Sequence, residues 1–146
     1  MACFVLVHGA WHGGWCWRDV RTILRDNGHE VFTPTLTGLG ERSHLMSPEI
    51  DMNTHILDIV NVIAWEEMSD VILVSHSYGG NVITGVADRV KDRLRHVVYL
   101  DAFVPKDGES PASGMMKILN PEVTDAEIEA NIAPRRAAAD ELGGSH

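Results

Sequence analysis

Four short apolar runs constrain this chain more than any other feature: CFVLVH at 3–8, HEVFTP at 29–34, DVILVS at 70–75 and HVVYLD at 96–101. Their cores are continuous rather than alternating, which marks strands buried on both faces of a helix-covered parallel sheet. The segments between them have helical spacing. Trp17, Val20, Ile23 and Leu24 share one face between Trp15 and Asn27, with Gly28 as a stop. Ile56, Ile59, Val60 and Ile63 form a second stripe between Asp51, an N-cap residue, and Met68, and Val82, Ile83, Val86 and Val90 form a third. The order βαβαβαβ predicts an α/β fold, a parallel doubly wound sheet with the first strand inside, the second on one side and the third on the other. Sheets of this kind bind ligands beyond the carboxyl ends of their strands at the topological switch point, here between strands one and three.

HGAWHGG follows the first strand and SHSYGG completes the third. Ser75-His76-Ser77-Tyr78-Gly79 has the small-x-Ser-x-small spacing of a nucleophile elbow, a tight strand-to-helix turn that lifts the Ser77 hydroxyl above the sheet. Small residues are required where backbones pass closely, and Ser75 stands where glycine is commoner. Ser77 as a plain strand end and helix cap is the alternative; the strand before it, the helix after it and the glycine loop at the neighbouring strand end favour the elbow. Unpaired N–H groups at a helix start favour developing negative charge. Tyr78 N–H is therefore one expected oxyanion donor and Ala10 N–H the other. Gly9 and Trp11 flank the second donor and are the expected lining of a substrate pocket, whereas Trp17, at helical spacing, belongs to the core.

Charge narrows the partners. Twelve Lys and Arg against twenty-one Asp and Glu give a net charge of −9, which argues against nucleic acid or an anionic membrane and for a small, largely neutral substrate. Cys3 and Cys16 lack C-x-x-C spacing and no basic leader precedes the first strand, so both are read as reduced thiols of a cytoplasmic protein. No run reaches the length of a membrane span. His8 with His12 is weak as a metal pair, and neither metal nor cofactor is expected.

Taken together, FVLVHGAWHGGWCWRDV, TLTGLGERSHL, VSHSYGGNV and VVYLDAFVPKDGES resemble the α/β-hydrolase family, in particular its small esterases, the branch that holds plant methyl esterases, hydroxynitrile lyases and bacterial relatives. The resemblance covers residues 3–110. It implies cofactor-free hydrolysis of an acyl ester by a Ser-His-Asp triad, with Ser77 as nucleophile and Ala10 and Tyr78 as oxyanion donors. The lyases of that branch carry threonine after the first-loop histidine; Gly9 in its place favours an esterase over a C–C lyase. The family's acid and histidine follow later strands that this chain does not show, so the expectation is a hydrolase core lacking its C-terminal strands (1–110) followed by a partial helical cap segment (111–146). A third reading is a non-catalytic module that binds a small apolar ligand or its own other half.

Asp101 is the acid at a strand end beyond the elbow and has two readings, a triad acid or a residue that fixes the following AFVP turn. No histidine is an evident base. His8 is expected to order the oxyanion loop, His76 to point away from the Ser77 hydroxyl, and His146 to fray. His12, His29, His44, His55 and His96 are assigned to the surface or loops. Gly38 and Gly40 offer positive φ in a loop whose Glu41 and Arg42 read as a solvated pair. In the cap, TDAE at 124–127 is a capping box opening a short helix, PRRAAADELGG a second helix, and the eight acids against three bases of 107–146 a solvated face. HVVYLD carries no lysine or proline to protect an edge, so a dimer or the missing half is expected to pair at residues 96–101.

Overall fold

A computed structural model describes residues 1–141 of the chain. Strands β1 (Cys3–Val7), β2 (Glu30–Phe32), β3 (Val71–Ser77) and β4 (Leu94–Ala102) form one sheet in the order β2-β1-β3-β4. Every neighbouring pair is parallel. This is the expected architecture, with β1 and β3 adjacent in the middle. Helices α1 (Arg18–Asp26), α2 (Met52–Trp65) and α3 (Gly79–Val90) make the crossovers, and α4 (Pro111–Leu119) and α5 (Asp125–Glu141) follow β4. No helix among the described residues is long and apolar enough to cross a membrane.

The two faces of the sheet are unequally covered. On one, Val5, Val7, Val71 and Leu73 pack beneath Ile56, Ile59 and Ile63 of α2 and Val82, Ile83 and Val86 of α3, the core that both stripes predict. Asp51 caps α2 as expected, accepting the Thr54 amide at 2.8 Å. The opposite face holds a smaller cluster of Leu6, Trp17 and Val31 flanked by Phe4, Leu24 and Val74. Here the α1 stripe needs correction, since Val20 is 41% and Ile23 61% exposed and no residue of α1 is buried. α1 packs over β2, at one side of the sheet, so its remaining apolar positions find no cover among the described residues. On β4, Val98 is 41% and Leu100 53% exposed, whereas Val97 and Tyr99 pack towards α2 and α3. The two-sided burial expected of HVVYLD is therefore met on one side only.

The segment after β4 differs in detail. α4 has no counterpart in the sequence reading, although Ser110 caps it reciprocally with Ser113 and Pro111 occupies its first turn, where a missing N–H is harmless. The Thr124–Glu127 capping box is present in both directions. Beyond it, the two expected helices are one, because α5 runs through Pro134 without a break. The glycines expected to end it lie outside the described residues.

Close approach fixes how α3 meets the sheet. A Cβ built on Gly80 would lie 1.9 Å from the Phe103 carbonyl oxygen, so only glycine lets the first turn of α3 pass the chain leaving β4. Gly80→Ala is expected to lower unfolding stability by about 1–3 kcal/mol, read as a reduced urea midpoint at constant m-value. An unchanged midpoint would mean that Phe103 moves aside freely.

Candidate active site

The corner between β3 and α3 concentrates the site. Ser77 is the last residue of β3, half-buried, with φ 52°. A non-glycine residue in that left-handed region costs on the order of 1–3 kcal/mol and persists where the surroundings impose it. The neighbours do so by contact. A Cβ on Gly79 would come within 2.8 Å of the His8 carbonyl oxygen, 2.9 Å of that of Val7 and 3.2 Å of Ser75 Cβ. One on Gly9 would meet Ser77 Cβ at 3.0 Å. The loop after β1 thus lies against the elbow, with Gly9 beside Ser77. Ser75 is fully buried and its hydroxyl has no hydrogen-bond partner among the described residues, so it serves there as a small side chain only.

His8 ties this loop to the one after β2. Its ring is completely buried; Nε2 accepts the Leu36 amide at 3.0 Å and Nδ1 faces the Gly9 carbonyl oxygen at 2.7 Å. Both contacts are satisfied together by the neutral ring with its proton on Nδ1. Burial holds the His8 pKa below its ordinary value, with the Gly9 carbonyl opposing. The ordering role expected of His8 is thereby given its partners. Nearby, the Thr35 hydroxyl accepts the Gly14 amide at 2.8 Å and donates to Glu41 at 2.5 Å, which keeps that carboxyl below its usual range. Arg42 donates to the Thr35 carbonyl at 2.9 Å. Glu41 and Arg42 are thus anchored to Thr35 rather than to each other, correcting the solvated pair.

The remaining residues divide. Asp101 is exposed, has φ 45°, and is the extra residue of a β-bulge, since His76 pairs with Leu100 and Ser77 with Ala102. The bulge sets Phe103 N–H to donate to the Ser77 carbonyl at 3.1 Å, so Asp101 shapes the chain opposite the elbow. Trp11 has φ 65° and is 91% exposed, so the described residues close no pocket around Gly9 and Trp11. A cavity of about 240 Å³ lies instead among Asn81, Phe103, Val104, Pro105 and Lys117, beyond the end of β4. His76 stacks on His12 at 6.4 Å, and His12 meets Trp15 edge-on at 6.0 Å. No histidine among the described residues hydrogen-bonds the Ser77 hydroxyl, and His146 lies outside them.

Of the histidines assigned to the surface or loops, His29 lies in the loop before β2 but is paired, and His55 departs from the expectation. His29 accepts the Ala2 amide at 3.0 Å. His55 is buried, between Thr37 and Tyr78. Its spacing was the available signal: positions 55, 59 and 63 form one row on the inner face of α2. Tyr78 is itself part of this contact, and burial, reinforced by Asp51, pushes its phenol up to about 12. It therefore stays protonated near neutrality and is no candidate base.

Comparison with known proteins gives a consistent picture. Residues 4–144 match the model of the alpha/beta hydrolase family. A carbendazim hydrolyzing esterase from Nocardioides sp. (strain SG-4G) is 58% identical over 124 residues, 85% of this chain and 51% of the relative. Methylesterase 2 of Arabidopsis thaliana is 33% identical over 120 residues, 75% of this chain and 42% of its own length. Among solved structures, an extracellular alpha/beta-hydrolase from a Paenibacillus species, described as sharing structural and functional homology with tobacco salicylic acid binding protein 2, superposes with a TM-score of 0.73 at 29% identity, covering 97% of this chain and 53% of that one. The chain spans about half the length of the curated relatives it matches.

The buried, neutral state of His8 has a pH signature. The unfolded ring takes up a proton as pH falls through 6.5, whereas the folded ring, its pKa depressed, does so only at lower pH. The contribution of His8 is thus complete above about pH 6.5 and lost progressively below it. Urea midpoints of the unmodified chain and His8→Asn, taken at pH 7.5 and 5.5, are expected to show the larger acid loss in the unmodified chain. Equal losses would contradict a neutral buried His8.

Proposed function

From the chain's membership of the alpha/beta hydrolase family, which the matched residues establish, we propose that it carries the nucleophile and oxyanion hole of a carboxylic-ester hydrolase acting on a small apolar ester. The observation that carries this reading is Ser77 at φ 52° with the β1 loop against it. In this reading the Ser77 oxygen bonds to the ester carbonyl carbon as its proton passes to a base. The carbonyl oxygen takes up the negative charge and is held by the Ala10 and Tyr78 N–H groups. The carbon–alkoxide bond then breaks, the alcohol leaves with the proton, and water releases the acid from Ser77. Gly9, in place of the threonine of the related lyases, favours this over C–C cleavage. Trp11 is assigned to the acyl pocket, where an exposed indole beside an oxyanion donor is suited to cover an apolar group.

The base and its carboxylate are assigned to polypeptide beyond the described residues, because no histidine described here reaches Ser77 and the relatives are about twice as long as the matched region. The same reading places that partner, or a second copy, along β4 at residues 96–101, where the exposed Val98 and Leu100 continue an apolar face. A cytoplasmic setting, with Cys3 and Cys16 as free thiols, completes it.

Two experiments test the proposal. On activated aryl esters the chain alone should turn over only weakly, and Ser77→Ala should reduce that turnover to the rate left by oxyanion hole and proximity, about 10³–10⁴-fold over water. Ester turnover indifferent to Ser77→Ala would refute the nucleophile. Light scattering should find dimers or larger species that Leu100→Lys disperses; a monomer with slow amide exchange at Val97–Leu100 would refute pairing at that edge.

A further inference from the structure

His55 is buried on α2, yet its ring reaches two loops of the site. Nε2 lies 2.8 Å from the Thr37 carbonyl oxygen and Nδ1 2.8 Å from the Tyr78 phenolic oxygen. A carbonyl oxygen only accepts, so Nε2 carries the proton; in the neutral ring Nδ1 then accepts the Tyr78 O–H. With that proton committed, Met52 sulfur, 3.6 Å from the phenolic oxygen, is a packing neighbour rather than the acceptor. Thr37 is itself fastened, donating its amide to Asp58 at 2.6 Å and its hydroxyl at 2.7 Å. Asp58, Thr37, His55 and Tyr78 form one continuous line of hydrogen bonds.

The line ends on the residue that follows the nucleophile. A phenylalanine would fill the same space as Tyr78, and exchanging a buried hydrogen-bonded pair for apolar groups of like shape is nearly neutral in stability. Direction is what the phenol adds. The other oxyanion donor is served in parallel, since His8 joins Gly9, immediately before Ala10, to the Leu36 amide. Leu36 and Thr37 are consecutive. Two buried histidines therefore refer the two donor-bearing turns to one dipeptide of the loop after β2.

We propose that His55 is a positioning residue for the oxyanion hole: by holding the Tyr78 phenol to the Thr37 carbonyl it fixes the backbone at Ser77–Tyr78, so that the Tyr78 N–H converges with that of Ala10. The proposal rests on the reading of Ser77 as nucleophile. His55 does not touch substrate; its effect passes through Tyr78.

Ser77-dependent hydrolysis of p-nitrophenyl acetate, compared among the unmodified chain, His55→Gln, His55→Asn, Tyr78→Phe and the double variant His55→Gln/Tyr78→Phe, provides the test. His55→Gln and Tyr78→Phe should each lower kcat about ten- to hundredfold with KM little changed, because misplacement of a transition-state donor leaves ground-state binding intact. The double variant should be no worse than the poorer single one, since both break the same link. His55→Asn, whose amide oxygen stands near the place of Nδ1 but whose amide nitrogen falls short of the Thr37 carbonyl, should recover only part of the loss. Unchanged kcat in both single variants, or losses that multiply in the double, would overturn the proposal. If His55→Gln does not fold, Tyr78→Phe, which keeps the ring volume, decides alone. Should turnover prove indifferent to Ser77→Ala, the reading of Ser77 fails separately, and the clamp is judged by the Tyr78 amide resonance: displacement in Tyr78→Phe upholds it and an unmoved resonance overturns it.

Discussion

The first turn of α3 and the end of β1 pass so closely that the contact admits no side chain. Gly79 faces the Val7 and His8 carbonyl oxygens at distances no Cβ would tolerate, and Gly9 faces Ser77 on the other side of the turn. Because β1 and β3 are hydrogen-bonded neighbours, their carboxyl ends converge, and the chain leaving β3 must turn at once to avoid the chain leaving β1. That requirement gives Ser77 its positive φ and brings the turn at Gly9 alongside. In the proposed reading, nucleophile and oxyanion donors are consequences of one close packing of backbones.

Loops could relax around such a contact, and buried polar groups stop them. His8 and His55 act from opposite sides, one on the turn after β1 and the other on Tyr78, the residue after Ser77, and both bond to Leu36–Thr37. Thr35 adds a third tie, holding the Gly14 amide and Glu41. The loop after β2 is thus the frame to which the turns at Gly9 and Tyr78 are tied. Burial makes the frame pH-sensitive through His8 and keeps the Tyr78 phenol protonated.

The parts of the fold legible in sequence were those written in local pattern. Continuous apolar runs located the strands, the i/i+4 stripes located α2 and α3, and the strand–Ser–glycine sequence located the elbow. What escaped depended on context. The α1 stripe is amphipathic, but whether Val20 and Ile23 are covered is decided by what else lies on that face. α4 begins with Ser110 and Pro111 but pairs Ser113 in its box, a weaker signature than the Thr124–Glu127 box that was recognised. Pro134 reads as a boundary, yet α5 continues through it. His55 reads as a surface or loop residue for want of a sequence partner, yet it stands in the buried row of Ile59 and Ile63. Asp101 has two readings in sequence, a triad acid or a residue that shapes the following turn, and the bulge that gives it a backbone role is a property of two strands together.

The central claim is that backbone packing presents the Ser77 hydroxyl, and no other, as a nucleophile facing two N–H donors. Reaction with a fluorophosphonate, whose phosphoryl oxygen occupies an oxyanion hole as the adduct forms, followed by peptide mapping, tests this most directly. The account predicts a single phosphonyl adduct on the peptide containing Ser77, lost in Gly9→Val, whose side chain would intrude on Ser77. Adducts spread over the exposed serines, or none at Ser77 while others react, would contradict it.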